Sequence, residues 1–324
     1  MNERLLELLR TQELVSGGEA ASTLGVSRTA IWKAIKRMQQ EGYRIESLPK
    51  RGYRLHQSDV IFEPGSANTL LSSQGCRSRV EWVECIDSTN EWAMQAAEAG
   101  AAPYAWFVAD RQTAGRGRLG REWLSPPTCN LYTSCVLRPA LAPAHAAQLS
   151  LAIAIAVHRA ITACGISAKI KWPNDVHVQG KKIAGILCEL RADTDRIEAL
   201  IAGIGINVGL LPSDFPPEVR EIATSLHAEG AVVDRAVVDR TGVFVALARE
   251  MESVVQLLEN RGFSALQDEW NAACALRGRF VEVLFGDHTV SGTVVGIDSD
   301  GYLLLEQAGD VVRIIAGDVT VKKS

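Results

Sequence analysis

Residues 114–123, AGRGRLGREW, crowd Gly115, Gly117 and Gly120 together with Arg116, Arg118 and Arg121. The letters fit the dinucleotide fingerprint G-x-G-x-x-G, and a strand-like AWFVAD (105–110) precedes them as that motif requires. The context then fails. Pro126 and Pro127 stand where the helix should run, and no acidic residue closes a second strand for a ribose. Arg121-Glu122 after Gly120 excludes a Walker A loop, and no V-A-I-K strand follows for a kinase. What remains is a glycine-hinged loop whose guanidinium forks suit a carboxylate or phosphate. Mutual repulsion among its arginines predicts a mobile flap that an anion orders.

Two other segments carry polar groups at strand ends. CIDSTNEWA sets Asp87, Ser88, Thr89 and Asn90 between a strand and a helix. Such residues cap helices, and the same hydroxyls and amide suit a small polar head-group; both readings stand at this point. In KIKWPNDVHVQGKKIAGILCEL, Pro173 forces a turn, and Asn174 and Asp175 form a pair fit for a divalent cation or a polar ligand. Lys182 opens an otherwise apolar strand, where an ammonium needs an anionic partner, while Lys181 faces the other way. GIGINVG (203–209) ends a buried strand at Asn207. Trp106, Trp123 and Trp172 suit either core or pocket wall, with core the better reading for each alone, and His145, His158 and His177 lie in no ligand spacing. No Ser/His/Asp or Cys/His arrangement supports a nucleophilic hydrolase.

The elements that must hold these residues fall into three units. Residues 1–58 hold ten Lys/Arg against six Asp/Glu, whereas the rest of the chain holds 24 against 32, within a net charge of −4. A basic unit on an acidic body suits contact with a polyanion. Helical periodicity over 3–10 and 19–40, broken at Gly25 and restarted at an N-capping Ser27, reads as a helix-turn-helix. Leu24, Val26, Ile31, Ile35 and Met38 supply its core; Arg28, Thr29, Trp32, Lys33, Lys36 and Arg37 its cationic face. YRIESLPKRGYRL is a hairpin with Lys50 and Arg51 at its tip, a wing placed for phosphates. A small interaction module with a solvated charged face is the weaker alternative.

Residues 59–68 are expected to form a linker, 69–275 an α+β domain on a mixed or largely antiparallel sheet, and 276–324 a small β-barrel. The central hairpin turns at Gln179-Gly180. Seven cysteines without a C-x-x-C argue against a zinc or disulfide framework and for reduced thiols. MNERLLELLR has no signal-peptide core, and LSLAIAIAV (149–157) is too short to span a bilayer. A soluble cytoplasmic protein without membrane contact is expected.

DSTN, RQTAGRGRLGREWLSP, NLYTS, KWPNDV, KKIAGIL and GIGINVG, in this order, make the chain resemble the biotin–protein ligases. With a winged helix in front, it resembles the bifunctional members that also repress the biotin operon. The resemblance spans essentially the whole chain. It implies a central ligase domain of the class II aminoacyl-tRNA synthetase/biotin synthetase-like kind and a C-terminal SH3-like barrel. It also implies conversion of biotin and ATP, with Mg²⁺, to biotinyl-5′-adenylate, followed by transfer to a lysine of a biotin carboxyl carrier protein.

By the same resemblance, Ser88, Thr89, Asn90 and Gln112 serve the biotin head-group. Arg116, Gly117 and Arg118 close over biotin and adenylate, and Lys182 meets the carboxylate and α-phosphate. Gly115, Arg121, Asn174, Asp175 and Asn207 belong to the adenylate side. Lys182, Arg118 and Asp175 are the catalytic candidates, with Asp175 also a Mg²⁺ candidate and a group to orient or deprotonate the acceptor lysine. The adenylate doubles as corepressor, favouring a sheet-edge homodimer on inverted-repeat operator DNA. Two departures stand out. Leu119 replaces an arginine of some members, and 210–226 carries three prolines and no tryptophan where an adenylate-covering loop is expected. A small-acid sensor without ligase activity and a lipoate–protein ligase remain competing readings. The loop arginines and Lys182 favour an enzyme, and the polar DSTN favours a ureido head over a dithiolane.

Overall fold

The computed structural model describes residues 2–12, 14–40, 43, 45–55, 62–233, 236–237, 239–285, 288–315 and 317–321. The basic unit comprises α1 (Asn2–Thr11), α2 (Gly17–Leu24), α3 (Arg28–Gln40), β1 (Ile45–Leu48) and β2 (Gly52–Leu55). Ser16 accepts from Glu19 N to start α2, Gly25 ends it at φ +67°, and Ser27 Oγ accepts from Ala30 N at 3.2 Å. The turn therefore closes as its cap residues dictate. Leu5, Leu6, Leu9, Ile31, Ala34, Ile35 and Met38 form its core, with Leu24 and Val26 packed at the margin. Val15 exchanges two main-chain hydrogen bonds with Tyr53, joining the wing to the helices.

The central unit runs α4 (Pro64–Ser73), β3 (Arg79–Ile86), α5 (Thr89–Glu98), β4 (Ala105–Gln112), β5 (Leu131–Leu137), α6 (Ala146–Thr162), β6 (Lys169–Lys171), β7 (Asp175–Val178), β8 (Lys181–Ala192), β9 (Ile197–Ile206), α7 (Pro217–Arg220), the short β10 (Val232–Val233) and β11 (Ala236–Val237), α8 (Arg240–Arg261) and α9 (Ser264–Ala273). Seven strands form one sheet in the order β3-β4-β5-β9-β8-β7-β6, and only β3 and β4 run parallel. The largely antiparallel expectation holds. Gln179 and Gly180 take φ +50° and +84° at the tight β7–β8 turn, the left-handed pair such a hairpin needs.

The expected linker is corrected over 62–68. Phe62 is buried, meets the Phe244 ring edge-on at 5.2 Å, and leads into α4, while Glu63 N donates to Thr241 Oγ1 at 3.0 Å. These residues belong to the central core; 59–61 lie outside the described residues. With the turn before it, α6 makes a 20-residue stretch apolar and long enough to cross a membrane by length and composition. That corrects the estimate made from nine residues alone. Its apolar residues serve the core: Leu149, Leu151–Val157, Ala160 and Ile161 are all buried, and the helix packs on α8 and β8.

The last five strands, β12 (Phe280–Phe285), β13 (His288–Ile297), β14 (Leu303–Gln307), β15 (Asp310–Ile314) and β16 (Asp318–Val321), form an antiparallel sheet in the order β15-β14-β13-β12-β16. Among the described residues no ladder joins the two end strands. Its buried residues, Val281, Val283, Val294, Leu303 and Leu305 among them, continue the core around α6, α8 and α9. Asn271 fastens α9 to both main-chain groups of Ile297. The C-terminal sheet is thereby stabilised by a core that it shares with the ligase unit.

Arg240, the first residue of α8, forms a buried ion pair with Asp110 at 2.5 Å, and its NH1 also reaches Asn130 O. The pair ties α8 to the end of β4, two residues before Gln112. Removing one partner of a buried pair costs about 3–5 kcal/mol, whereas replacing both with apolar groups costs far less. Arg240→Met should lower unfolding stability by about that amount in denaturant titration, and Asp110→Leu/Arg240→Met by less. A double variant no more stable than the single one would show that the pair does not act this way.

Candidate active site

The cleft lies on the sheet face that α5 partly covers, and missing side chains create it. Gly185 and Gly205 are cross-strand partners on β8 and β9, and Gly203 pairs with Leu187 one step along. A Cβ on Gly203 would overlap the Asn90 amide, and one on Gly205 would enter the Trp123 indole. A Cβ on Gly185 would lie 2.9 Å from Lys182 Cε and 3.0 Å from Trp123. Three bare backbone positions thus make a floor on which larger groups rest.

One end of the cleft is neutral and polar. Ser88 begins α5 without a side-chain cap bond, so its hydroxyl is free of the capping role. The N–H and Oγ1 of Thr89 donate to Gln112 Oε1 at 2.9 and 3.1 Å. Gln112 Nε2 donates to Ser125 Oγ at 3.0 Å, and Ser125 donates to Trp123 O. Ser134 Oγ lies 2.8 Å from Thr89 Oγ1 and 2.6 Å from Asn90 Oδ1. Asn90 is used internally: its amide donates to Glu189 Oε2 at 2.7 Å and to Leu187 O at 3.3 Å.

The other end is cationic. A Trp172–Pro173 cis bond shapes the turn that delivers Asn174 and Asp175. Lys182 Nζ sits 2.7 Å from Asp175 Oδ1 and 5.3 Å over the Trp123 ring, which supplies the anionic partner its strand position demands. Burial pushes the Asp175 carboxyl up, but His177, 3.9 Å away, and the Lys182 ammonium outweigh it and hold the carboxyl below its ordinary value. Folding therefore favours ionised Asp175. The stability this adds is complete at neutral pH and is lost only as pH falls through the lowered value.

Arg118 NH1 donates to Asn174 Oδ1 at 3.0 Å, while Asn174 Nδ2 donates to Ile186 O. Arg116 lies 3.3 Å from Glu91 and 3.4 Å from Glu189. Inside the loop, Gly117 N donates to Arg121 O at 2.7 Å and Trp123 N to Gly115 O at 2.9 Å. The flap is folded back on itself and tethered at two of its arginines.

Ser88, Thr89, Asn90, Gln112, Arg116, Gly117, Arg118, Asn174 and Lys182 come together around the cleft. Gly115, Arg121, Asp175 and Asn207 are not in its lining. Gly115 is pressed against Trp123 O and Ser125, where a Cβ would not fit. Asp175 acts on Lys182 from behind. Asn207 is buried; its Nδ2 donates to Thr224 O at 3.0 Å and its Oδ1 accepts from Asn130, so it clasps the following loop instead of facing the cleft. That loop adds a short parallel bridge at Lys182, through Lys182 N to Ile222 O and Thr224 N to Lys182 O.

Trp123, for which the sequence favoured core over pocket wall, lines the cleft. Sequence reasoning also missed Ser125, Ser134, Glu91, Glu189 and His177, which become partners only through the fold; the charge of Glu189 on a half-buried strand was the available signal. Among the described residues no group of three His, Cys, Asp or Glu converges for a metal. Asp175, committed to an ammonium, does not make a resident Mg²⁺ site. In the basic unit Arg28, Thr29, Trp32, Lys33, Lys36 and Arg37 are exposed along α3, with Lys50 and Arg51 exposed at the wing tip.

Comparison with known proteins finds the same three parts. The Biotin/lipoate A/B protein ligase family matches residues 82–207, an HTH domain 2–54, and the Biotin protein ligase C terminal domain 278–322. The Bifunctional ligase/repressor BirA of Bacillus subtilis is 35% identical over 323 residues, covering 98% of each chain. The protein of that name from Escherichia coli is 31% identical, covering 99% of this chain and 97% of its own. A biotin protein ligase from Aquifex aeolicus, solved in complex with biotin and ATP, superposes with a TM-score of 0.64 at 30% identity, covering 76% of this chain and 100% of that one. Identity at this level across nearly the full length of both chains shows that the chain belongs to the biotin–protein ligase family, in its bifunctional ligase/repressor branch.

Proposed function

We propose that this chain joins biotin to ATP, forming biotinyl-5′-adenylate and pyrophosphate, and then passes biotin to a lysine of a biotin carboxyl carrier protein. The observation that carries the reading is the division of one cleft into a neutral hydrogen-bonding end and a cationic end. Ser88, Thr89 and Gln112 match a ureido head, with Asn90 holding the wall. Arg116, Arg118 and Lys182 match the carboxylate and phosphates that must meet at the other end. In the first step a biotin carboxylate oxygen attacks the α-phosphorus and pyrophosphate leaves with Mg²⁺, which arrives as MgATP. Two anions approach only against fixed positive charge, which Lys182 and Arg118 supply. In the second step the acceptor amine attacks the acyl carbon, AMP leaves, and the amine gives up a proton.

Asp175 is read here as a positioning residue for Lys182, and Asn174 as the dock of Arg118. Gly115 shapes the loop and Asn207 clasps the 207–224 segment, while Arg121 remains a candidate on the adenylate side. The units 1–58, 69–275 and 276–324 are retained as functional parts, with 62–68 transferred to the ligase unit. The exposed face of α3 and the wing are read as the operator contact, through Arg28, Thr29, Trp32, Lys33, Lys36, Arg37, Lys50 and Arg51. Adenylate-dependent homodimerisation and a cytoplasmic location without membrane contact complete the proposal.

Biotin-dependent exchange of pyrophosphate into ATP tests the first step. We expect exchange with biotin, and Lys182→Met to reduce it on the order of a hundredfold. Exchange driven by lipoate alone would favour a lipoate ligase, and none at all a sensor.

Arg118→Gly should release adenylate faster and label proteins promiscuously; a tightly retained adenylate in that variant would refute the loop's role.

Asp175→Asn should depress adenylate formation and transfer together, by roughly tenfold to a hundredfold, because Lys182 loses its support. Loss of transfer alone from preformed adenylate would instead make Asp175 the proton acceptor.

A further inference from the structure

α3 carries Arg28, Lys33, Lys36 and Arg37 and no acidic residue. A helix built only for solvent gains from opposite charges three or four residues apart, and none is offered here. The rotation of α3 is fixed from below. Ile31 and Ile35 are 0% exposed and Met38 1%, locked into the core of the winged unit. Trp32, set among the cations, is 50% exposed, the one large apolar side chain that α3 leaves in solvent. Arg28 does not cover it. The Arg28 guanidinium lies over Gly18 near the start of α2, where a Cβ would stand 2.5 Å from its NH2. Nor does the ligase unit, since the indole stays open with Tyr43 joined to Glu84. An indole half in water forgoes apolar burial that a partner's surface would restore.

We propose that Trp32 is the sequence-reading residue of the operator contact, seating its indole against the 5-methyl group of a thymine in the major groove. The inference deepens the operator reading of α3 and rests on it. The surrounding cations select a polyanion over an apolar protein face. Trp32 lies in the second turn of α3, and the N-terminal part of a recognition helix is the part that reaches base edges. An indole offers one N–H and no acceptor, so it cannot pair with an exocyclic amine. Its ring suits a methyl group, which thymine alone among the four bases presents in that groove. Thr29, three residues earlier on the same side of α3, borders the patch. Lys36, one turn further along, is left to a phosphate, a contact that adds affinity and carries no sequence information.

The test uses the full chain with biotin and MgATP. Its probes are a duplex selected in that mixture from a randomised pool and a random-sequence duplex beside it. Replacing single thymines of the selected duplex by deoxyuridine removes only the methyl group. We expect one symmetry-related pair of thymines at which this weakens wild-type binding about tenfold and leaves Trp32→Ala with no further loss. Trp32→Ala should bind the selected duplex roughly thirtyfold more weakly and the random duplex as before, with an unaltered salt dependence. Lys36→Ala should weaken on both duplexes, its salt slope smaller by about one per protomer. The proposal is overturned if Trp32→Ala loses neither duplex, loses both equally while folded, or answers every deoxyuridine as the wild type does. Misfolding is recognised by circular dichroism, and the deoxyuridine scan of the wild type, which needs no variant, then decides: indifference at every thymine overturns the proposal. Failure of the operator reading looks different, because no sequence is enriched and Lys36→Ala binds DNA as the wild type does; the proposal then falls with it.

Discussion

Backbone without side chains at Gly185, Gly203 and Gly205 is the condition on which this site depends. A β-sheet face is ordinarily filled by alternate side chains. Here three positions on two adjacent strands are left bare, and the space is taken by Asn90 from α5 and Trp123 from the flap. Everything that follows needs that depth. Lys182 can lie along the floor with its ammonium between Asp175 and the indole, and the polar groups of Thr89 and Gln112 can face the same volume from the opposite end.

Charge is then arranged by fixing each cation to a different neutral or anionic support. Lys182 leans on a carboxylate, Arg118 on an amide oxygen, and Arg116 on two glutamates across the mouth. Like charges that would repel in an open loop are held apart at distinct docks. The supports differ in strength. The Lys182–Asp175 pair is the more buried, and the Arg116 pairs, more exposed, are individually weaker.

Behind the sheet, one continuous core joins α6, α8 and α9 to the C-terminal strands. The buried Arg240–Asp110 pair anchors α8 beneath the strand that carries Gln112. The winged unit keeps a separate core. Between the two units the Tyr43 hydroxyl donates to Glu84 at 2.9 Å, on the edge strand that leads to DSTN. This is a chain built as a self-contained basic reader beside a larger body in which catalysis and the C-terminal sheet share packing.

Local rules made much of this legible. Gly25 and Ser27 set the helix-turn-helix through caps, Gln179-Gly180 set the central hairpin through positive φ, and alternation revealed the antiparallel strands. The residues around the cleft were found because glycines, arginines and a misplaced lysine break local pattern. Between core and pocket wall the sequence left Trp123 undecided, since an indole beside a core and one on a glycine floor look alike in sequence. Asn207 drew attention at a strand end, yet its amide turned to Thr224, a partner 17 residues away. Phe62 joined a core contributed by α8, far along the chain, so a polar stretch hid an anchored segment. The sequence by itself determined the elements, the order of the units and the kinds of group available to the chemistry. Which carboxylate neutralises which cation was decided only in three dimensions, because ion pairs and cavities depend on distances between strands that no local spacing encodes.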